Sequence, residues 1–159
     1  MKKVLLVYGL LVAVILFFVF LRFRGIDLFP NIIGGNNASV KINERTFEIE
    51  VADTDEKRIK GLSDRNSLDQ DRGMLFIFDQ KAKHGFWMKN VKFPLDLIYI
   101  SDNRIVDIVK NAEPKSAADT DIPIYQPKEE ANYVLEINGG LSNEYGFEIG
   151  NEVTFTGIN

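Results

Sequence analysis

The sequence predicts a mainly β, α+β domain, a compact small barrel or rolled antiparallel sheet with one short helix, preceded by one transmembrane helix. Three observations carry this. Several runs of 5–8 residues are rich in β-branched and aromatic side chains and are separated by Gly, Asn, Asp and Pro turn signals. Only one segment, near residue 56, has a helix-like start and stop. The N-terminus opens with Val4–Leu21, eighteen residues without a charge.

As a helix that run spans about 27 Å, close to the thickness of a bilayer hydrocarbon core. It has no polar face, so it cannot serve as a surface helix. It is longer than a cleavable signal's apolar region. It ends in the bulky Phe20, Leu21, Arg22, Phe23 and Arg24, with no small-x-small cleavage site, and the chain has no cysteine for a lipid anchor. Residues 1–24 therefore read as an uncleaved signal anchor. The short basic tail, Lys2 and Lys3, favours a cell-membrane, single-pass topology with the globular part on the extracytoplasmic side. Residues 25–37, with Pro30, Gly34, Gly35, Asn36 and Asn37, form a linker, and residues 38–159 the β-rich domain.

Within the domain, Val40 and Ile42 alternate with polar neighbours, Asn43-Glu44 suits a turn, and Phe47, Ile49 and Val51 share the face of a second strand. Asp53 or Thr54 caps the short helix, Glu56 would complete a capping box with Asp53, and Gly61 ends it. Ile59 and Leu62 are expected to face the core, Lys57 and Lys60 the water. Met74–Phe78 is apolar on both faces and reads as a central strand. Phe86–Met88 reads as a short aromatic strand and Leu95–Ile100 as another central one. Ser101-Asp102-Asn103 is a turn into Arg104–Val109. Residues 111–130 form a polar loop broken by Pro114, Pro123 and Pro127. Tyr133–Ile137 and Val153–Phe155 complete the set.

Composition excludes several functions. Without cysteine there is no disulfide, thiolate nucleophile or cysteine zinc site. Four of the 19 basic residues flank the apolar run, leaving 15 against 23 acidic ones, a balance of −8. Such a charge repels phosphate backbones, so no nucleic-acid partner is expected. Phosphate-binding glycine loops, zinc-protease helices and nucleophile elbows are absent. His84, the one histidine, falls in the charged stretch Asp79–Gly85 and reads as a solvated loop residue. Asp119 and Asp121 lack the surrounding pattern of a calcium loop. No metal and no cofactor is expected.

Six residues stand out as candidate ligand-binding groups. Asp96 lies in a run apolar on both faces, and Glu136 shares a face with Val134. A buried carboxylate needs a cation or several donors. The cations at hand are Arg58, Arg65, Lys89 and Arg72, and Arg65 and Lys89 are taken into the candidate set. Phe86–Asn90 (FWMKN) adds an apolar plane with one donor in Trp87, a cation in Lys89 and an amide in Asn90, the mixture a pocket for a polar organic ligand or sugar uses. Core filling by Trp87 and Met88 is the competing expectation.

Four blocks now stand in a fixed order: Gly61-Leu62-Ser63-Asp64-Arg65, Arg72-Gly73-Met74-Leu75-Phe76-Ile77-Phe78, Phe86-Trp87-Met88-Lys89-Asn90 and Pro94-Leu95-Asp96, followed by Val134-Leu135-Glu136. Together they resemble the Domain of Unknown Function 192 family over about Lys41 to Phe155. The family's GLM departs here to Gly61-Leu62-Ser63. The resemblance implies a compact, mostly β domain, often behind a signal peptide or anchor, and no agreed reaction, cofactor or partner.

The functional expectation is a membrane-anchored extracytoplasmic binding or accessory module for an envelope ligand, whether a small molecule, a glycan or a partner protein. The alternative is a small hydrolase or lyase with Asp96 or Glu136 as acid/base and Lys89 or Arg65 as electrostatic stabiliser. Catalysis requires those groups to converge in an open cleft. A purely structural subunit would instead expose an apolar patch.

Overall fold

The computed structural model describes residues 38–115 and 121–158. The apolar segment expected to be a transmembrane helix, residues 1–24, and the linker, residues 25–37, lie outside the described residues. Among the described residues no helix is long and apolar enough to cross a membrane.

Seven strands and two short helices follow in the order β1 (Ser39–Ile42), β2 (Arg45–Ala52), α1 (Asp55–Lys60), β3 (Arg72–Ala82), β4 (Leu95–Ser101), β5 (Arg104–Ala112), β6 (Ala131–Asn138), α2 (Leu141–Glu144) and β7 (Val153–Thr156). They form one sheet in the order β5-β4-β6-β3-β2-β1-β7. The sheet is mixed and not wholly antiparallel as expected, because β2 and β3 pair in parallel, with Ile49 opposite Gly73. A parallel pair needs a crossover rather than a hairpin, and residues 53–71, including α1, supply it.

The sheet rolls into a half-barrel. Its outermost strands meet at one end, where Ile105 N–H donates to Asn151 O (3.1 Å) and Val153 N–H to Asn103 O (2.8 Å). Inside lie Val40, Ile42, Phe47, Ile49, Leu75, Ile98, Ile100, Leu135, Ile137 and Val153, drawn from strands across the sheet, with Phe147 from the segment after α2. On the other face, Met74, Phe76, Leu95, Leu97, Tyr99 and Val134 pack beneath Leu62, Phe86, Met88 and Val91. Central strands covered on both sides have no solvent face, which is why Met74–Phe78 and Leu95–Ile100 lack alternation.

Both expected turns form at residues whose short polar side chains tolerate positive φ, Asn43 (φ 53°) and Asp102 (φ 55°). The ends of the domain are paired: β1 runs antiparallel to β7, Ser39 opposite Thr156. Gly73 is fixed by crowding, since a Cβ there would come within 2.8 Å of Glu136 O on the neighbouring strand.

Four local expectations are corrected. Among the described residues there are two short helices, not one. The second, α2, caps with Gly140 at φ 92°, a glycine-dependent conformation without a side-chain cap, so no polar cap residue announces it. The first helix is capped by Thr54, whose Oγ1 accepts from Lys57 N–H (3.3 Å). Asp53 pairs with Lys57 Nζ (2.7 Å) and makes no capping box. Ile59 is 70% exposed rather than core-facing; α1 is six residues long and turns Arg58 toward β3, leaving Leu62, beyond the Gly61 stop, as the core contact. Phe86–Met88 is not a strand of the sheet. It alternates buried, exposed, buried, and makes a single bridge, Phe86 with Tyr125, to the long loop.

Candidate functional site

The crossover that makes β2 and β3 parallel also builds a cleft. Residues 55–63 lie along one side, Phe76 and Phe78 of β3 form the wall, and residues 84–87 close the other side, with Val91 and Glu136 beneath. The cleft is open to solvent and has a volume of about 310 Å³.

Its walls are aromatic. Phe76 and Phe86 meet edge to face at 4.9 Å, and Phe78 meets Phe86 in the same manner at 6.3 Å. His84 stacks on Phe78 at 3.6 Å, and its Nε2 lies 3.0 Å from Gln80 O. Trp87, half exposed, stands at the mouth and is not core. Arg58 lies over the Phe78 ring with its guanidinium carbon 5.2 Å from the centroid. One of its nitrogens donates to Ile77 O (2.6 Å) and the other to Asp55 Oδ1 (2.6 Å).

Glu136 is the polar group of the floor. It follows Val134 on the face of β6 that packs on Met74 and Leu97, and it is 5% exposed. Burial pushes its carboxyl up from 4.5 to about 8, with no hydrogen bond or cation acting against the desolvation. Its carboxyl is therefore mostly protonated at neutral pH. Tyr99, on the same face, donates its hydroxyl proton to Tyr125 O (3.0 Å). Burial first, then the nearby Glu136 and Asp107, raises its phenol above the ordinary range.

Of the six candidates, Trp87 and Glu136 line the cleft, and Arg65, Lys89, Asn90 and Asp96 do not. Arg65 forms a bidentate ion pair with Glu50 (2.6 and 2.8 Å), and the hydrogen bond from Arg65 holds the Glu50 carboxyl below its usual range. Lys89 is exposed; its carbonyl accepts from Ser63 Oγ (3.3 Å). Asn90 takes a left-handed turn conformation, φ 61°, and its backbone bridges to Asp64 and Lys115.

Asp96 is fully buried and is held by the main chain. Oδ1 accepts from Asn111 N–H (2.7 Å) and Gly140 N–H (3.0 Å), and Oδ2 from Ser142 N–H (2.7 Å). It ties β4 to the irregular end of β5, where Asn111 has φ 54°, and to the first turn of α2. Gly139 is required beside it, since a Cβ there would come within 2.7 Å of Asn111 Oδ1.

Of the two ties open to Asp96, backbone amides or an arginine, the amides are the ones formed, and neutralisation by the named arginines is corrected. Arg58 goes to Asp55, Arg65 to Glu50 and Arg72 to Glu48, each partner lying nearer in the fold than Asp96 or Glu136. Asp96 and Glu136 also point to opposite faces of the sheet. Asp96 precedes Leu97, which is the cross-strand partner of Glu136, and successive strand residues alternate faces. Among the described residues no three His, Asp or Glu side chains gather as a metal site.

The reading of the sequence missed His84, Arg58 and Phe78 as members of one site. His84 comes round to the cleft because β3 continues to Ala82, well past the apolar run, and a charged strand extension gives little sequence signal.

The fold and cleft define a small β half-barrel domain with a side cleft roofed by a crossover. The chain belongs to the Domain of Unknown Function 192 family, described as an uncharacterized ACR, whose profile matches residues 38–155. A protein of unknown function from Novosphingobium aromaticivorans has a similar structure, with a TM-score of 0.66 and 32% identity over 74% of this chain and 82% of that one. A putative transcription regulator from Sinorhizobium meliloti is similar at a TM-score of 0.66 and 31% identity, over 76% of this chain and 93% of that one. No curated protein matches the sequence.

Proposed function

We propose that this is a ligand-binding module whose cleft, between α1 and β3, takes a small organic molecule with an aromatic or apolar body. The observation that carries the proposal is the combination of an open, aromatic-walled cleft with a carboxyl, Glu136, that is largely buried beneath it and has no ion-pair partner among the described residues. Largely apolar concavities with a few converging polar groups are the usual form of small-molecule sites. Desolvating a carboxyl is costly, so a carboxyl kept at the edge of an open cleft suits a ligand better than it suits packing. Hydrolase or lyase chemistry has no comparable support, because Asp96 has its three donors already and neither Lys89 nor Arg65 joins Glu136 at the cleft.

The module is tethered by the apolar N-terminal run and faces the extracytoplasmic side, where it serves an envelope ligand or partner. This rests on the eighteen-residue uncharged run and its basic flank.

Trp87 is the only tryptophan of the chain, so its emission reports the cleft mouth. Titration of the full chain in nanodiscs with benzyl alcohol, benzylamine and benzamide is expected to give a saturable change in that emission for at least one of them. Linear, unsaturable responses to all three remove the binding reading. Protease added to right-side-out cells is expected to remove the domain; protection would place it on the other side.

A further inference from the structure

We propose that the ligand carries an organic ammonium group, which docks over Glu136 against the aromatic wall of the cleft. The inference rests on the binding reading above and narrows its ligand class.

The floor sets the first condition. Glu136 stands opposite Met74 and Leu97 in the sheet, and among the described residues no side chain forms an ion pair with it, so a ligand entering the cleft can supply the partner. A second carboxylate there would face like charge. An ammonium supplies both an opposite charge and hydrogen-bond donors.

The walls set the second condition. Phe76, Phe78, Phe86 and Trp87 line one cleft, and the faces of such rings attract cations, more strongly where water is excluded. The cleft already holds one cation in this manner. The Arg58 guanidinium lies over Phe78, but it is tied to Ile77 O and Asp55 and makes no ion pair with Glu136. Its charge is offset by Asp55 at 2.6 Å, so it opposes an incoming cation only weakly. The other charged or titratable groups facing the cleft are exposed Lys60 at the lip, His84, and Tyr99 beside Glu136. At longer range, the balance of −8 outside the N-terminal segment attracts cations.

A proton balance follows. In the free cleft near neutral pH the Glu136 carboxyl is protonated, its titration displaced by burial to about 8. Docking an ammonium leaves a carboxylate–ammonium pair and releases that proton to water. Affinity for an amine therefore climbs about tenfold per pH unit up to about 8 and then levels. A neutral ligand that accepts a hydrogen bond from the protonated acid shows the opposite trend, losing affinity above the same pH.

The test is titration of the full chain in nanodiscs with benzylamine, which stays protonated through most of this range, and with benzamide, its neutral counterpart. Trp87 emission is followed between pH 6 and 9, for wild type and Glu136→Gln. Expected is tighter binding of benzylamine than of benzamide at pH 8, with the rising profile described. Glu136→Gln is expected to weaken benzylamine at least tenfold and to flatten its pH profile, which a contribution from His84 would not do, while the circular dichroism and unliganded Trp87 emission of the variant match wild type and report an intact fold. Saturable benzamide binding with benzylamine weaker, pH-independent or unaffected by Glu136→Gln overturns the ammonium and leaves the binding reading standing. Absence of saturation with both probes overturns the ammonium, and the binding reading falls with it only if benzyl alcohol also fails to saturate.

Discussion

Replacing Glu136 by Gln should stabilise the domain, and only above acidic pH. In the unfolded chain the carboxyl ionises near 4.5; in the fold it holds its proton to about 8. Below pH 4.5 both states are protonated and burial carries no ionic cost. As pH rises from 4.5 to 8 the unfolded chain ionises while the folded one resists, so wild-type stability falls through that window and levels above it. At 1.36 kcal/mol per unit of displacement, the full loss is about 5 kcal/mol, a ceiling that water entering the open cleft reduces to about 2–5 kcal/mol. Glutamine has nearly the same shape and does not titrate. Urea unfolding of both proteins at pH 4, 6, 7, 8 and 9 measures the difference, in which the other carboxylates cancel. We expect a gap near zero at pH 4 that widens to at least 2 kcal/mol by pH 9. A gap that stays constant with pH, or a less stable Gln variant at pH 9, would mean that a cation reaches Glu136, and the reasoning from burial would be wrong.

Asp96→Asn should cost about 2–4 kcal/mol, because one of its three backbone donors would face an NH2 group; thermal or urea unfolding measures it, and Trp87 titrations of the folded variant should be unchanged. Trp87→Ala should cost less than about 1.5 kcal/mol, since the ring is half exposed, but should weaken benzylamine binding, followed by calorimetry once the tryptophan is gone. Gly73→Ala should destabilise by about 1–3 kcal/mol through the approach to Glu136 O, read as a lower urea midpoint. Residues 38–159 expressed alone should give a soluble product with the circular dichroism of a β-rich fold; an aggregated product would show that the N-terminal segment contributes to the core.

Strand positions were legible wherever burial is one-sided or the apolar run is long. Val40, Ile42, Phe47 and Ile49 alternate, and Met74–Phe78 and Leu95–Ile100 read as central because nothing in them is spared for water. The parallel register of β2 and β3 was not legible, since strand direction is decided by a crossover whose path depends on contacts far along the chain. Asp96 was visible as an anomaly, a carboxylate in an apolar run, but its donors are backbone amides at 111, 140 and 142, and main-chain donors carry no residue signature. Trp87 and Glu136 were legible as candidates without their meeting place. Arg65 was read as a partner for a core carboxylate and instead took Glu50, an exposed-face residue of β2 brought alongside by the crossover.

The pairing of β1 with β7 has a consequence for synthesis. The ribosome delivers β1 before the other strands of the sheet, yet the strand that covers its outer edge, Val153–Thr156, is the last of the seven to emerge. Until then the nascent sheet carries an open rail of backbone donors and acceptors, the feature through which sheets adhere to other chains. Pairings between such distant segments also form slowly, because the intervening chain has to be confined before they yield anything. A ribosome stalled shortly before residue 153, or a protein truncated there, would leave β1 as an edge while most of the core is already in hand.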